Sequence, residues 1–555
     1  MTVLARETQT RRVATLPRDA TIVVAIVLGF SILRLASAAL VGLGVDEAYT
    51  LAIARRLQLS YFDHPPLHLW LVHLCAGLTG YGRLARIPFI AVFAGSSWLL
   101  FDLTRRLFGA KAGVWAVLAL NLSAFFSVVA SSWVLPDGPL IFCLLAAACR
   151  LAPIVVEDRS PTVSPREAWS DWIGAGFWLG LAGLCKYQAL IFAFGGFLFL
   201  ASTPVGRAWL RRPNPYVAAG LALAVFSPVL IWNAQHHWVS FAFQGARAAP
   251  AHGLRPAAVL SALLGQAALL LPWIFVPLAV AGWRGLRSGP PDLPRWFCVS
   301  LGVPLVVLFL LAPVWGQTGL PHWAMPGWLM LMPLLGDSLA RSAREAAWPK
   351  VWAGASLTLL ILLWALLVSD AASGWVGQAW PRLFAKGDPT LEAVEWTGLA
   401  EDPASRSWLA RPGVFVVSMK WNEAGRLRPL FRDKTQIRVF SDDPRGFAFD
   451  DQPASRVGRD ALVVVKPEDL GAGLDRIRLC FDTVESLGTS TLGRAGHSEL
   501  QLHLFAASRL RPDCSALGGL DDIAQTQWRR LKALTATKMT DPLAKPAAAQ
   551  STPKT

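Results

Sequence analysis

The chain has 555 residues with 52 Lys and Arg against 37 Asp and Glu, a formal net charge of +15, yet only 16% of it is charged and 54% is hydrophobic. Ordinary soluble domains are about 25% charged. The balance therefore excludes a disordered chain and a secreted disulfide scaffold, and it leaves too few polar groups to coat one large soluble enzyme.

What fits is an integral membrane protein with a soluble appendage. Its basic residues punctuate the ends of apolar runs, which is the positive-inside pattern of a membrane protein. No nucleic-acid-binding module accompanies them, so no nucleic-acid partner is expected.

Residues 1–20 form a polar segment with Arg6, Arg11, Arg12 and Arg18. The apolar run Thr21–Leu43 is long enough to cross a bilayer and lacks a clear signal-peptide cleavage site. It reads as the first span, with the N-terminus in the cytoplasm. A charged outer loop, 42–86, follows. Within it Leu67–Gly80 is apolar but short, and the charges of later loops favour a helix lying on the membrane surface.

Further apolar runs at about 87–104, 112–133, 139–153, 172–185, 187–204, 216–232, 257–283, 296–313, 324–340 and 351–369 bring the expected count to 11 spans. On that topology the inner segments hold 19 Lys and Arg and the outer loops 7. The membrane unit thus covers 21–372. Residues 373–515 alternate β-rich runs (Val414–Ser418, Ile437–Phe440, Ala461–Val465, Leu500–Ala506) with polar stretches, as a small α/β domain outside the membrane does. The basic tail, 516–555, reads as largely disordered. The fold class is a mainly α polytopic membrane protein with a small C-terminal α/β domain.

Cys75, Cys143, Cys149, Cys185 and Cys298 lie in or beside apolar runs without metal-ligand spacing and read as small core residues. Cys480 and Cys514 lie in the polar region, and pair only if it faces an oxidising compartment.

Ionisable residues gather on the outer side of this topology. Asp46 and Glu47 follow the first span, Asp63 and His64 precede Pro65–Pro66, Arg83 and Arg86 end the loop, Asp137 sits in a Pro-Asp-Gly-Pro turn, and Lys186 interrupts a long apolar stretch. Charges at a membrane boundary mark a site for a charged substrate. The plainer readings are a helix cap for Asp46–Glu47, a turn residue for Asp137 and a snorkelling Lys186. Arg34, inside the first span, either snorkels or pairs with an outer carboxylate. His68 and His73 read as structural. His236–His237 are adjacent, which is not a ligand spacing, and no convincing metal-ligand set is present.

The segments VDEAYT, YFDHPP, GRLARIP, LPDGPL and CKYQAL together resemble the GT-C membrane glycosyltransferases, in particular the bacterial group related to protein O-mannosyltransferases and to ArnT. IWNAQHHWVSFAFQ, GLPHWAMPGWLMLMPLL, WNEAGRLRPLF and SDDPRGFAF extend the resemblance over most of 20–470. It implies an inverting transfer of a sugar from a polyprenyl-phosphate donor to a periplasmic glycan, lipid or protein acceptor at the inner membrane. Asp46 would be the general base and Asp137 would orient acceptor or sugar. Arg83, Arg86 and Lys186 would meet the phosphate, Glu47, Asp63 and His64 would complete the substrate site, and Asp63 would fix the loop. His64 contacts phosphate if protonated and hydrogen-bonds if neutral. Apolar grooves among the spans would hold the isoprenoid tail. No metal is required.

Two other classes compete, a transporter or lipid-linked sugar flippase and a non-catalytic envelope assembly protein. A transporter usually buries its site near the midplane between related halves, whereas here no repeat is evident and the charges gather at one boundary. The sequence names neither sugar nor acceptor.

Overall fold

The computed structural model describes residues 17–155, 165–248, 255–315, 319–384, 388–431, 435–449, 456–514 and 524–529. Helix α1 (Arg18–Leu40) is followed after a four-residue turn by the short α2 (Val45–Ile53), then α3 (Leu67–Thr79) and α4 (Arg86–Phe108). Gly109, at φ +93°, ends α4 and starts α5 (Ala110–Leu122). A side chain is strained in that backbone region, so glycine suits the tight reversal. After α5 the chain bends by 83° into 125–132. Then come α6 (Asp137–Val155), α7 (Pro165–Gly183), α8 (Ala189–Ser202), α9 (Asn214–Gln235), α10 (Val239–Ala248), α11 (Ala257–Leu270), α12 (Pro272–Ser288), α13 (Leu293–Leu311), α14 (Met325–Glu345) and α15 (Trp348–Ser373).

Among the described residues six helices are long and apolar enough to cross a membrane, and three sharply bent pairs raise the number to nine if each is one span. The chain is a multi-pass membrane protein. Nine of the eleven expected runs coincide with these elements; the other two fall on α7 and α14. Helix α14 shows why hydropathy treats such a helix differently. Every residue from Met325 to Asp337 is buried. A helix wrapped in protein needs no lipid-facing apolar surface. Its Gly336 lies against α5, where a Cβ would come within 2.4 Å of the Ala112 carbonyl oxygen. Helix α3 has 13 residues, too few to span. Its Leu74 and Leu78 are bare while His68, Leu69 and Val72 are buried, the distribution of a helix lying along an apolar surface.

Beyond α15 lies a five-stranded sheet: β1 (Phe415–Ser418), β2 (Ile437–Val439), β3 (Ala461–Val465), β4 (Phe481–Arg494) and β5 (His497–Leu510), in the order β2-β1-β3-β5-β4. The first three strands are parallel and β5 and β4 are antiparallel. Helix α16 (Trp421–Leu427) connects β1 to β2, and α17 (Ala472–Cys480) precedes β4. Four strands agree with the β-rich runs, although β5 is longer than its run. Strand β4 escapes the pattern because FDTVESLGTSTLGR is polar on much of both faces.

Cys480 and Cys514 form a disulfide, which ties the end of α17 to the turn after β5. One face of the sheet packs directly on α2 and α3: Tyr49, Leu51 and Leu69 share a core with Val416, Leu462 and Leu504. Of the tail expected to be disordered, 524–529 is helical and Trp528 donates from Nε1 to the His237 carbonyl at 2.9 Å; the rest of the tail lies outside the described residues.

Candidate functional site

The site is built around α2, whose placement begins with Glu47. Its carboxylate accepts the Gly44 N–H at 3.0 Å, completing a capping box at the helix start. It also accepts the Val134 N–H at 3.1 Å and the Arg86 Nε–H at 2.8 Å. Arg86 in turn donates to the carbonyls of Val41 and Gly42 at 2.8 and 2.9 Å. Glu47 is 1% exposed and Arg86 3%. This pair locks the 41–47 turn, the start of α4 and the bend at Val134 into one frame.

Because Glu47 points inward, its neighbour Asp46 points out, and it is exposed. Surrounding protein still deprives its carboxyl of water and raises its pKa. Arg445 opposes that shift, Asp63 and Glu392 add to it, and Lys186 lowers it again. Asp63 is buried: the Tyr49 hydroxyl donates to its Oδ1 at 3.0 Å and Arg445 Nη1 lies 3.6 Å from Oδ2. Tyr49 accepts the Gly446 N–H at 2.9 Å, so the loop at Asp63, helix α2 and the C-terminal unit meet at one hydroxyl. Arg445 stacks on Trp421 at 3.8 Å from a left-handed backbone, φ +47°.

Asp137 starts α6, and Lys186 occupies the turn between α7 and α8. Both are buried, and Lys186 Nζ lies 2.8 Å from each Asp137 oxygen. His64 lies beside this pair. Burial first, then the positive charges of Lys186 and Arg445, push its pKa down to about 3, so the ring is neutral and offers hydrogen bonds rather than charge. It meets His68 edge to face at 5.7 Å. His322, stacked 6.2 Å from Phe125, also faces the Asp137–Lys186 pair. Arg247 from α10 lies over Trp323 at 4.9 Å and is close enough to Arg445, Asp63 and Asp46 for their charges to interact.

The structure thus gathers Asp46, Asp63, His64, Asp137 and Lys186, with Glu47 and Arg86 as the frame beneath. Arg83 is turned elsewhere: it donates to the Ala39 carbonyl at 2.6 Å and pairs with Glu395 at 3.1 Å. Sequence reasoning missed Tyr49, Arg247, His322 and Arg445 as site residues. Their signal was present in VDEAYT, GLPHWAMPGW and SDDPRGFAF and in the outer-loop basic residues. Arg34 neither snorkels nor meets a carboxylate. It is buried and donates to Asn121 Oδ1 at 2.7 Å and the Ser127 carbonyl at 3.2 Å. His236 stacks on Trp232 at 4.1 Å, a packing role. A separate cavity of about 420 Å³, lined by Asp102, Arg106, Arg150 and Asp171, lies toward the other end of α4 and holds none of these residues.

Cations and neutral imidazoles around one exposed carboxylate can bind an anionic group beside a base. The sequence model of the dolichyl-phosphate-mannose-protein mannosyltransferase family matches residues 63–232. Lipid A galacturonosyltransferase RgtD of Rhizobium johnstonii is 24% identical over 331 residues, which cover 57% of this chain; the chain spans only 63% of that curated relative. ArnT of Cupriavidus metallidurans in the apo state superposes with a TM-score of 0.59 at 16% identity, covering 88% of this chain and 97% of that one. The same protein bound to undecaprenyl phosphate gives 0.57 at 15% identity, with the same coverage.

Proposed function

We propose that this chain, which carries the ArnT-like GT-C glycosyltransferase fold, is an inverting glycosyltransferase that moves a sugar from a polyprenyl-phosphate donor to a lipid A or other envelope acceptor. The acceptor hydroxyl oxygen attacks the anomeric carbon while its proton passes to the Asp46 carboxylate. The bond from that carbon to the phosphate oxygen breaks on the opposite side, so configuration inverts, and the polyprenyl phosphate leaves with one more negative charge. Lys186, Arg247 and Arg445 meet that charge as it grows. His64 and His322, uncharged, complete the contacts to phosphate or sugar.

Asp137 keeps Lys186 aimed, while Glu47 and Arg86 hold α2 and so hold Asp46 in place. On this reading the site faces the periplasm, the N-terminus is cytoplasmic, and residues 373–515 form an outer domain over the site that lends Arg445 to it. Bare apolar surface on α3 suits contact with the isoprenoid chain.

The observation that carries the reading is the exposed Asp46 beside a buried Asp137–Lys186 pair and two further arginines. Reconstitution of the purified protein with radiolabelled polyprenyl-phosphate sugars and lipid A tests it. Sugar transfer that is lost in Asp46→Asn supports the enzyme. Movement of the carrier without transfer would make the protein a flippase, and neither activity would leave an assembly factor.

A further inference from the structure

A second polar centre lies in the C-terminal unit, at the carboxyl ends of β1 and β3. These strands are parallel neighbours. The helices that follow them pack on opposite faces: α16 sits with Val416, Leu462 and Val464, whereas α17 sits with Phe415, Val417 and Val463. Chains departing to opposite faces open a crevice beyond the strand ends, the usual ligand position in sheets of this kind.

Three carboxylates occupy that crevice. Glu423 lies in the first turn of α16, and Glu468 and Asp469 lie in the turn after β3. One oxygen from each falls within 4.8 Å of the others. Glu423 is 2% exposed, and although its Oε2 accepts the Ser418 hydroxyl at 3.2 Å, its Oε1 has no hydrogen-bond partner. A buried carboxylate oxygen without a partner is costly. Two ammonium groups partly answer the cluster: Lys420 Nζ lies 2.8 Å from Asp469 and 3.7 Å from Glu468, with its side chain 42% exposed, and Lys466 Nζ lies 4.0 Å from Glu468.

We propose that this crevice binds one divalent cation of the oxygen-preferring class, Ca²⁺, Mn²⁺ or Mg²⁺, through Glu423, Glu468 and Asp469, and that the cation displaces the Lys420 ammonium. All three ligands are hard oxygens, and the cluster contains neither imidazole nor thiolate, which argues against zinc. The site is independent of the glycosyl-transfer reading.

The test is isothermal titration of the EDTA-treated full-length protein in detergent with CaCl₂, MnCl₂ and MgCl₂ separately, alongside thermal unfolding. The expected result is one saturable site with a Kd of about 10⁻³ M or tighter for at least one of the three ions, and a higher Tm with that ion present. Glu423→Gln should weaken binding by about tenfold or more without lowering the Tm measured in EDTA, because an uncharged isostere removes the buried charge. Glu468→Gln combined with Asp469→Asn, at solvent-reaching positions, gives the same loss should Glu423→Gln misfold. Lys420→Ala should tighten binding severalfold, an effect that misfolding does not produce. Absence of saturable binding at millimolar cation overturns the proposal. So does equal affinity in the carboxylate variants, or a Lys420→Ala protein that loses stability and gains no affinity; the last would leave the cluster as an internal ion pair only.

Discussion

Two buried carboxylate–cation pairs stand on the same face of the helical bundle, and they are built differently. In Glu47–Arg86 each partner is fully employed by the fold: Glu47 caps α2 and accepts the Val134 N–H, and Arg86 satisfies the carbonyls of Val41 and Gly42. In Asp137–Lys186 the ammonium meets only the two oxygens of one carboxylate among the hydrogen bonds described, and the imidazoles of His64 and His322 lie close enough to feel both charges. A saturated pair fixes geometry. A pair with donor capacity left over can hand it to a ligand. Asp46 depends on both, since the first pair aims it and the second places a cation near it.

The comparison predicts its own order of effects. Asp46→Asn should reduce transfer by about 10²–10⁴-fold, the range for removing a general base, while Tm and donor binding stay as they were. Radiolabelled transfer together with thermal unfolding checks this; near wild-type turnover would remove Asp46 from its role.

Breaking the saturated pair should instead act on folding. Glu47→Ala or Arg86→Ala leaves a buried charge uncompensated, for about 3–5 kcal/mol of lost stability, seen as a large fall in Tm and in the yield of folded protein. Removing both members of the other pair should separate the two roles. Asp137→Asn with Lys186→Met leaves no buried charge and should stay folded, yet bind a polyprenyl-phosphate analogue about 10–100-fold more weakly, as loss of a charge-assisted contact to phosphate implies. Unchanged affinity would make Asp137–Lys186 as structural as Glu47–Arg86.

The pH profile sharpens the same distinction. A general base works only when deprotonated, and burial raises the Asp46 pKa. The acid limb of kcat/KM should therefore lie above the ordinary carboxylate range, with activity falling as pH drops through it. Burial, then the charge of Lys186, hold the His64 pKa down to about 3, so His64→Asn should lower the rate without moving that limb. A limb that disappears in His64→Asn would transfer the base role to the imidazole.

Much of this was legible in the sequence, for identifiable reasons. Apolar runs mark helices because lipid imposes one rule on every residue it touches, and α1, α4 and α15 obey it. That rule lapses for α14, sheathed in protein. Asp46, Asp63, Asp137 and Lys186 stood out because charge among apolar residues is costly. Arg445 did not, because it sits among other charges nearly 400 residues from Asp46 and becomes part of the site only when β2 and α16 dock on α2. Hydropathy also could not tell Arg86 from Arg83, since both end the same loop. Only the tertiary partners separate them.

That last distinction gives the smallest expected effect. Arg83 pairs with Glu395 in the open, with 40% and 37% of the two side chains exposed. Its other contact is the carbonyl of Ala39 near the end of α1. Exposed pairs contribute about 0–1 kcal/mol, and neither contact bears on Asp46 or Lys186. Arg83→Ala should therefore lower Tm by at most a few degrees and leave donor affinity and kcat within about twofold of wild type, which is the spread expected of a surface substitution. Parallel measurement with Arg86→Ala makes the contrast sharp, because the two arginines are three residues apart where the outer loop runs into α4. A tenfold loss of donor affinity in Arg83→Ala, with Tm preserved, would show that its guanidinium leaves Glu395 when donor binds, and would add a fourth cation to the phosphate site.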